Sequence, residues 1–153
     1  MLTEISVAAA IVFLCLLLHV GGMMTMAEWL FGRREYLEAG RRTRYSIILI
    51  VLFSGIIVLH VTETALWAIF YLSRSLFDNF ESALYFSLGS YTTIGYGDVV
   101  LPQRWRLLGA LEGISGVLLC GISTGFMFAV INAMFQMRFN IKQQSRLAVE
   151  NPE

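Results

Sequence analysis

The heptapeptide Thr92–Asp98 constrains this chain more than any other stretch of its 153 residues. It reads TTIGYGD, with two hydroxyl side chains before two glycines and an acid after them. A backbone that directs successive carbonyl oxygens along one line needs unusual φ and ψ angles at alternate positions. Gly95 and Gly97 adopt such angles at little steric cost. The pattern therefore predicts a row of carbonyl oxygens, with the Thr93 hydroxyl at its inner mouth.

Most of the remaining chain consists of three long apolar runs, at 5–27, 45–71 and 106–139. Each is long enough for a helix to cross a hydrocarbon core of about 30 Å. Only 14% of the residues are charged, against roughly 25% in soluble domains. We therefore expect an all-α integral membrane protein with three transmembrane helices.

Composition and motifs exclude several functional classes. Formal net charge is zero, so bulk charge gives no reason to expect nucleic acid or an acidic ligand as a partner. The sequence has no Cys/His cluster with metal-ligand spacing, no phosphate-binding Gly-Lys loop and no nucleophile elbow. Cys15 and Cys120 both lie in apolar runs and are expected to be small buried hydrophobes. We expect no enzymatic activity and no organic cofactor.

The first apolar run is interpreted as a retained helix rather than a cleaved signal peptide. Its head, residues 1–4, carries an acid and no basic side chain. The run also exceeds the 7–15 apolar residues of a typical signal peptide, and no clear cleavage site closes it.

A short helix is expected before the glycine string, at about residues 80–92. Asp78 or Asn79 can cap its first turn, and Glu81 there suits the helix dipole. About 12 residues are too few to cross a membrane, so we expect this segment to re-enter from one side. Pro102 ends the loop before the last helix.

Basic residues predict the orientation. The loop after the first helix contains five arginines, and the carboxyl-terminal tail carries further basic residues. The positive-inside rule places that loop and the tail in the cytoplasm and the amino terminus outside. The loop either binds anionic lipid as an interfacial helix or simply sets the topology. Its arginines are Arg33, Arg34, Arg41, Arg42 and Arg44.

The glycine string resembles the selectivity filter of the potassium-channel family, whose sister string is TVGYG, and Ile94 in place of Val is also found in two-pore-domain channels. The resemblance covers roughly residues 45–135. It implies a pore domain at 45–139 between a basic linker at 28–44 and a short tail at 140–153. Residues 1–27 then form one helix more than the usual two-helix pore unit.

In that family, four filter loops surround one axis, so the resemblance implies a homotetramer. Carbonyl oxygens of Thr93, Ile94, Gly95 and Tyr96, with the Thr93 hydroxyl, would replace the water shell of K⁺, and Gly97 completes the string. K⁺ ions are then the only bound group expected.

Other residues are expected to support the filter. Thr92 begins the string. Asp98 at the outer mouth either raises the local cation concentration or forms a hydrogen bond behind the filter. Tyr85 occupies the family position of an aromatic residue that bonds this acid. Some relatives carry an acid behind the filter at the position of Gly89, and this chain does not.

Two acids lie inside apolar runs, where ionisable groups are functional candidates. Glu63 and Glu112 are both expected about 9–12 Å below the outer surface, level with the filter. His60 lies one turn from Glu63. These groups either form local hydrogen bonds without a regulatory role, or brace the filter and make conduction sensitive to pH. His19 is expected to be a satisfied packing residue.

The last helix carries small residues at four-residue spacing, which permit close helix packing. The alternative is that part of this ridge lines a cavity and permits bending at Gly116 or Gly121. Thr124 and Asn132 are polar positions that are expected to face a water-filled path. The small residues are Gly109, Gly113, Gly121, Gly125, Ala129 and Ala133.

The sequence therefore predicts a potassium-selective channel of a plasma membrane, assigned to a bacterial inner membrane on small size alone. The alternatives are a non-selective cation channel and a sensor or accessory subunit that keeps the fold without conducting. No helix carries arginine at every third position, so no voltage sensor is visible, and the gating stimulus is not identified.

Overall fold

The computed structural model of the protein describes residues 2–33 and 42–150, with side chains described at 4–33 and 43–143. Within these ranges the regular structure is entirely helical. Arg34 and Arg41, and the side chain of Arg42, lie outside what is described. The helices are α1 (Leu2–Phe31), α2 (Arg42–Ser73), α3 (Phe80–Tyr91) and α4 (Arg106–Glu150), with a 3-10 turn at Gln103–Trp105.

Three of the helices are long and apolar enough to cross a membrane. The candidate spans are Glu4–Phe31, Thr43–Ser73 and Gln103–Gln143. They confirm an all-α membrane protein with three spans. Each helix extends beyond the apolar run that predicted it, because adding residues to an established helix gains one hydrogen bond for each residue fixed.

The short helix α3 forms where the sequence predicts it. Asn79, rather than Asp78, is the cap: its side-chain oxygen accepts a hydrogen bond from the Ser82 amide at 2.8 Å. Glu81 lies in the first turn. At 1.5 Å per residue, 12 residues extend about 18 Å. The helix is therefore too short to cross a membrane.

The helices pack around two apolar clusters. α3 lies against α2 and α4, and α1 also lies against α2 and α4. One cluster joins all four helices, and the other joins the amino-terminal half of α2 to α4. The buried residues of the first are Ala8, Cys15, Trp67, Tyr71, Leu101, Leu108 and Leu119. Those of the second are Tyr45, Ile48, Leu52, Val130 and Met134.

The two cysteines differ in environment. Cys15 is fully buried, as expected, whereas Cys120 is exposed on the surface of the single chain. The expectation of burial is wrong for Cys120, because apolar surroundings in sequence do not determine which face of a membrane helix turns inward.

Glycines allow α1 to lie close to α2. A Cβ atom at Gly22 would lie 2.9 Å from a Leu59 methyl carbon, and one at Gly55 would lie 2.6 Å from the Met26 methyl carbon. Small residues at helix interfaces allow such close approach in membranes. The additional helix is therefore packed onto the rest of the chain along its length.

Candidate functional site

The loop after α3 has alternating backbone handedness. φ is +60° at Thr93, +51° at Gly95 and +80° at Gly97. The left-handed backbone at the two glycines confirms the prediction from the sequence. Thr93 is a third left-handed position, which the sequence did not predict. Positive φ is uncommon for a β-branched residue. The alternation matches that expected of a backbone whose carbonyl oxygens form one row.

Main-chain hydrogen bonds fasten this loop to the end of α3. The Gly95 amide donates to the Gly89 carbonyl at 3.0 Å, and the Thr93 amide donates to the Ser90 carbonyl at 3.0 Å. The Thr92 hydroxyl donates to the Leu88 carbonyl at 2.6 Å. Position 89 has no acidic side chain, but its carbonyl oxygen takes part in holding the loop.

Asp98 is held at the outer end of the loop. The Tyr85 hydroxyl donates to Asp98 Oδ2 at 2.8 Å, and the Val99 amide donates to Oδ1 at 3.0 Å. This confirms the expected pair. The bond to Asp98 raises the pKa of the Tyr85 phenol, because ionisation would remove the donor and set two negative charges together. The Tyr85 ring stacks on Tyr96 with centroids 6.4 Å apart.

The side chains between the left-handed positions are uncovered in the single chain. Ile94 is 57% exposed and Tyr96 is 72% exposed. Beside Thr93, an open groove of about 440 Å³ is bordered by α4. Its α4 lining consists of Gly109, Ala110, Gly113, Ile114, Val117 and Leu118. Large apolar side chains are thus exposed next to the glycine loop.

Glu112 is buried behind α3. The Tyr71 hydroxyl donates to Glu112 Oε2 at 2.8 Å. Ser87 Oγ forms a hydrogen bond with Glu112 Oε1 and lies 2.8 Å from the Thr64 carbonyl oxygen. Because one hydroxyl has one proton, both bonds of Ser87 form only if Glu112 carries a proton of its own. Glu112 thereby connects α2, α3 and α4.

Glu63 belongs to a closed ring of hydrogen bonds that draws on all four helices. Its Oε1 is 2.8 Å from His19 Nδ1, and its Oε2 accepts from the Tyr91 hydroxyl. Ser123 Oγ lies 2.9 Å from His19 Nε2 and 3.1 Å from His60 Nε2. His60 Nδ1 lies 2.8 Å from the Tyr91 hydroxyl and so closes the ring. We name these five residues the buried polar ring.

Three members of the ring have ligand-type atoms close together. Donor atoms of His19, His60 and Glu63 lie within 4.8 Å of one another, and imidazole and carboxylate are zinc ligands. All of these side chains already have hydrogen-bond partners in the ring. The sequence did not reveal the cluster, because it forms only when His19 on α1 meets His60 and Glu63 on α2, which lie 41 and 44 positions further along the chain.

The two membrane acids therefore contact α3 rather than the loop itself. Glu112 bonds Ser87, and Glu63 bonds Tyr91, the last residue of α3. The closeness of His60 and Glu63 is confirmed by a 3.3 Å distance between Nδ1 and Oε2. Sequence reasoning missed Tyr91 and Ser123 as partners and described His19 as a packing residue only. The available signal was a set of polar side chains inside apolar runs.

The small residues of α4 fall into two groups. Gly109, Gly113 and Gly116 face α3, and a Cβ atom at Gly116 would lie only 2.1 Å from the Tyr91 carbonyl oxygen. Gly121 and Gly125 have nothing within 4 Å. α4 continues without interruption through Gly116 and Gly121, so the helix is unbroken at both proposed bending points.

The polar residues further along α4 lie on its open surface. Thr124 is exposed and bonds the Cys120 carbonyl of its own helix at 2.8 Å, and Asn132 is exposed as well. Their exposure to a water-filled path stays a prediction. Arg33, the described arginine that follows α1, places its guanidinium 4.4 Å from the centre of the Trp29 ring.

Comparison with known proteins gives one match. Residues 46–133 fit the family model described as ion channel. The matched region begins in α2, contains α3 and the loop, and ends within α4; α1 lies outside it. No curated protein and no solved structure matches the chain.

Proposed function

This chain belongs to the ion channel family, and from that premise we propose that it conducts K⁺ selectively, as a tetramer, down the ion's electrochemical gradient. The observation that carries the proposal is the alternation of left-handed backbone at Thr93, Gly95 and Gly97. Carbonyl oxygens of residues 93–96 would replace the hydration shell of a dehydrated cation. Neutral dipoles suit a monovalent cation better than a fixed charge would, because the ion must also leave.

Four copies are required because one loop cannot surround an ion. Non-helical backbone at membrane depth is tolerated only where protein or a water-filled path surrounds it. The exposed side chains of Ile94 and Tyr96 and the apolar groove beside Thr93 supply surface that neighbouring copies would cover. Gly121 and Gly125, which are open in the single chain, are available for contacts between copies or for lining the cavity.

Two further features of the proposal concern the membrane. The amino terminus lies outside and the tail lies in the cytoplasm of a plasma membrane. Arginines after α1 contact anionic lipid headgroups, each contributing about 1 kcal/mol near the surface; Arg33 and Arg44 are the described members of that group.

A flux assay tests the function. The purified protein is reconstituted alone into liposomes, and K⁺ efflux is recorded with Na⁺ substitution and with Ba²⁺ as a blocker. We expect Ba²⁺-sensitive K⁺ flux that far exceeds Na⁺ flux. Gly97→Ala is the inactive comparison, because φ of +80° strains any residue with a Cβ atom. Gly21→Ala, at a glycine of α1 with nothing within 4 Å of its Cβ position, is the matched active control.

The two other outcomes would each assign the protein a different function. Equal K⁺ and Na⁺ fluxes that Gly97→Ala abolishes would indicate a non-selective cation channel. No flux from a folded, correctly inserted protein would indicate a sensor or accessory subunit and would refute the proposal.

A further inference from the structure

The buried polar ring requires one proton more than its groups ordinarily carry. It has five links, and each link needs one hydrogen. Tyr91 and Ser123 each contribute one, and two neutral imidazoles contribute one each. A carboxylate at Glu63 contributes none. With only four hydrogens, two lone pairs face each other at one link, whichever direction the donors run around the ring.

A fifth proton also makes the ring electrically neutral. It resides on Glu63 as a carboxylic acid or on a histidine as an imidazolium beside the Glu63 carboxylate. In either form, the sum of the charges is zero. Without that proton, a net negative charge would be buried where His19 and Glu63 are both fully shielded. Leaving a charge uncompensated in such a site costs several kcal/mol.

The other titratable groups around the ring do not supply this proton. Cys120 Sγ lies 3.9 Å from His60 Nε2, and Cys15 lies one helical turn from His19 on α1. Both are thiols, which are weak hydrogen-bond donors. Glu112 is committed to Ser87 and Tyr71. The shared proton therefore belongs to Glu63 and the two histidines: His19 Nδ1 lies 2.8 Å from Glu63 Oε1, and His60 Nδ1 lies 3.3 Å from Oε2.

Tyr91 connects the buried polar ring to the filter loop. Tyr91 is the last residue of α3 and lies two positions before Thr93, where the left-handed loop begins. We propose that His19 is a positioning residue for the filter, and that α1 fixes the end of α3 by sharing one proton among His19, His60 and Glu63. This gives the additional helix, which lies outside the matched channel region, a role in the pore. The inference rests on the proposed channel function for its effect on selectivity, but not for the ring itself.

Unfolding of the purified protein in mixed detergent micelles tests the ring without requiring conduction. His19→Leu removes one of the groups that share the proton and leaves Glu63 Oε1 buried without its partner, so the ratio of folded to unfolded protein should fall on the order of a hundredfold or more. Adding Glu63→Gln to that variant removes the ionisable group and should raise the ratio of folded to unfolded protein again by at least about tenfold. Glu63→Gln alone should be destabilising.

Glu63→Gln should thus destabilise the wild type but stabilise the His19→Leu variant. This reversal distinguishes the shared proton from simple packing. If His19 only fills space, the two losses add, and the double variant is the least stable of the set. That result would overturn the proposal. Leu17→Ala, an exposed position on α1, is the control for effects of substitution in this helix. If His19→Leu does not fold at all, recovery of folding in the double variant supports the same conclusion, and failure of both refutes it.

A spectroscopic measurement counts the proton directly. Nitrogen-15 NMR of labelled histidine, combined with infrared difference spectra of wild type and Glu63→Gln, should find three protons shared among the two imidazoles and the carboxyl. Two protons would refute the proposal, as would stoichiometric zinc in the purified protein, since a metal would replace the ring protons.

The consequence for the filter is measured separately. In wild type, K⁺ over Na⁺ selectivity tests the proposed function. In His19→Leu, a selectivity decrease of about tenfold, reversed in the double variant, tests the coupling. Selective conduction that is unchanged in His19→Leu would overturn the proposal that His19 positions the filter.

Discussion

Gly116→Ala is the substitution that best measures the contact between α4 and α3, the helix that precedes the glycine loop. A Cβ atom at position 116 would lie 2.1 Å from the Tyr91 carbonyl oxygen, and real Cβ contacts essentially never fall below 3.0 Å. The two backbones must therefore separate by about 0.9 Å. The obstacle is a main-chain atom rather than a flexible side chain, so local side-chain rotation cannot relieve it.

Overpacking of this kind costs about 1–3 kcal/mol, or roughly a 5- to 150-fold change in an equilibrium constant. Alanine also favours a helix over glycine by about 1 kcal/mol, which works in the opposite direction. Gly21→Ala on α1 corrects for that gain, because nothing lies within 4 Å of its Cβ position. The difference between the two variants isolates the contact.

Equilibrium unfolding of the purified protein in mixed micelles provides the measurement. Gly113→Ala completes a graded series, since its Cβ atom would lie 3.0 Å from the Ser90 carbonyl oxygen. We expect stability to decrease from Gly21→Ala through Gly113→Ala to Gly116→Ala. If Gly116→Ala is as stable as Gly21→Ala, the two backbones do not approach each other as described and the reasoning fails.

Three further outcomes are expected. Glu112→Gln retains a donor for Ser87 and an acceptor for Tyr71 and should change unfolding free energy little, whereas Glu112→Ala should cost about 1–3 kcal/mol more by the same assay. Tyr85→Phe should shorten the open times in single-channel records. In wild type, the bond to Asp98 is present below the usual phenol pKa of 10.0 and is lost as external pH rises through the higher pKa of the folded protein. Wild-type open times should therefore shorten at alkaline pH, whereas those of Tyr85→Phe should not change with pH in that range. Replacing K⁺ by Na⁺ should lower the melting temperature of the purified protein, because an ion bound only by the folded assembly stabilises it by mass action; Gly97→Ala should be insensitive to the exchange, and equal sensitivity would contradict K⁺ binding at the loop.

The sequence alone determined the features that depend on neighbouring residues. Apolar length predicted three spans, because a membrane helix must satisfy every backbone group internally and needs about 20 residues to cross. Asn79 and the short run after it predicted α3. Gly95 and Gly97 predicted left-handed backbone. In each of these cases, local chemistry or helical geometry leaves few alternatives. The pairing of Tyr85 with Asp98 came from the resemblance to the potassium-channel family.

Only the tertiary structure decided which distant polar groups meet. Hydrophobicity does not specify the rotation of a membrane helix, since lipid is as apolar as the protein core. Sequence reasoning therefore recognised Glu63 and Glu112 as important but not Tyr91, Ser123 or Tyr71 as their partners. It assigned His19 to packing, although the packing of α1 against α2 and α4 brings His19 into a ring of hydrogen bonds that includes Tyr91, two positions before Thr93. A buried polar group must find its hydrogen bond wherever the helices happen to place one.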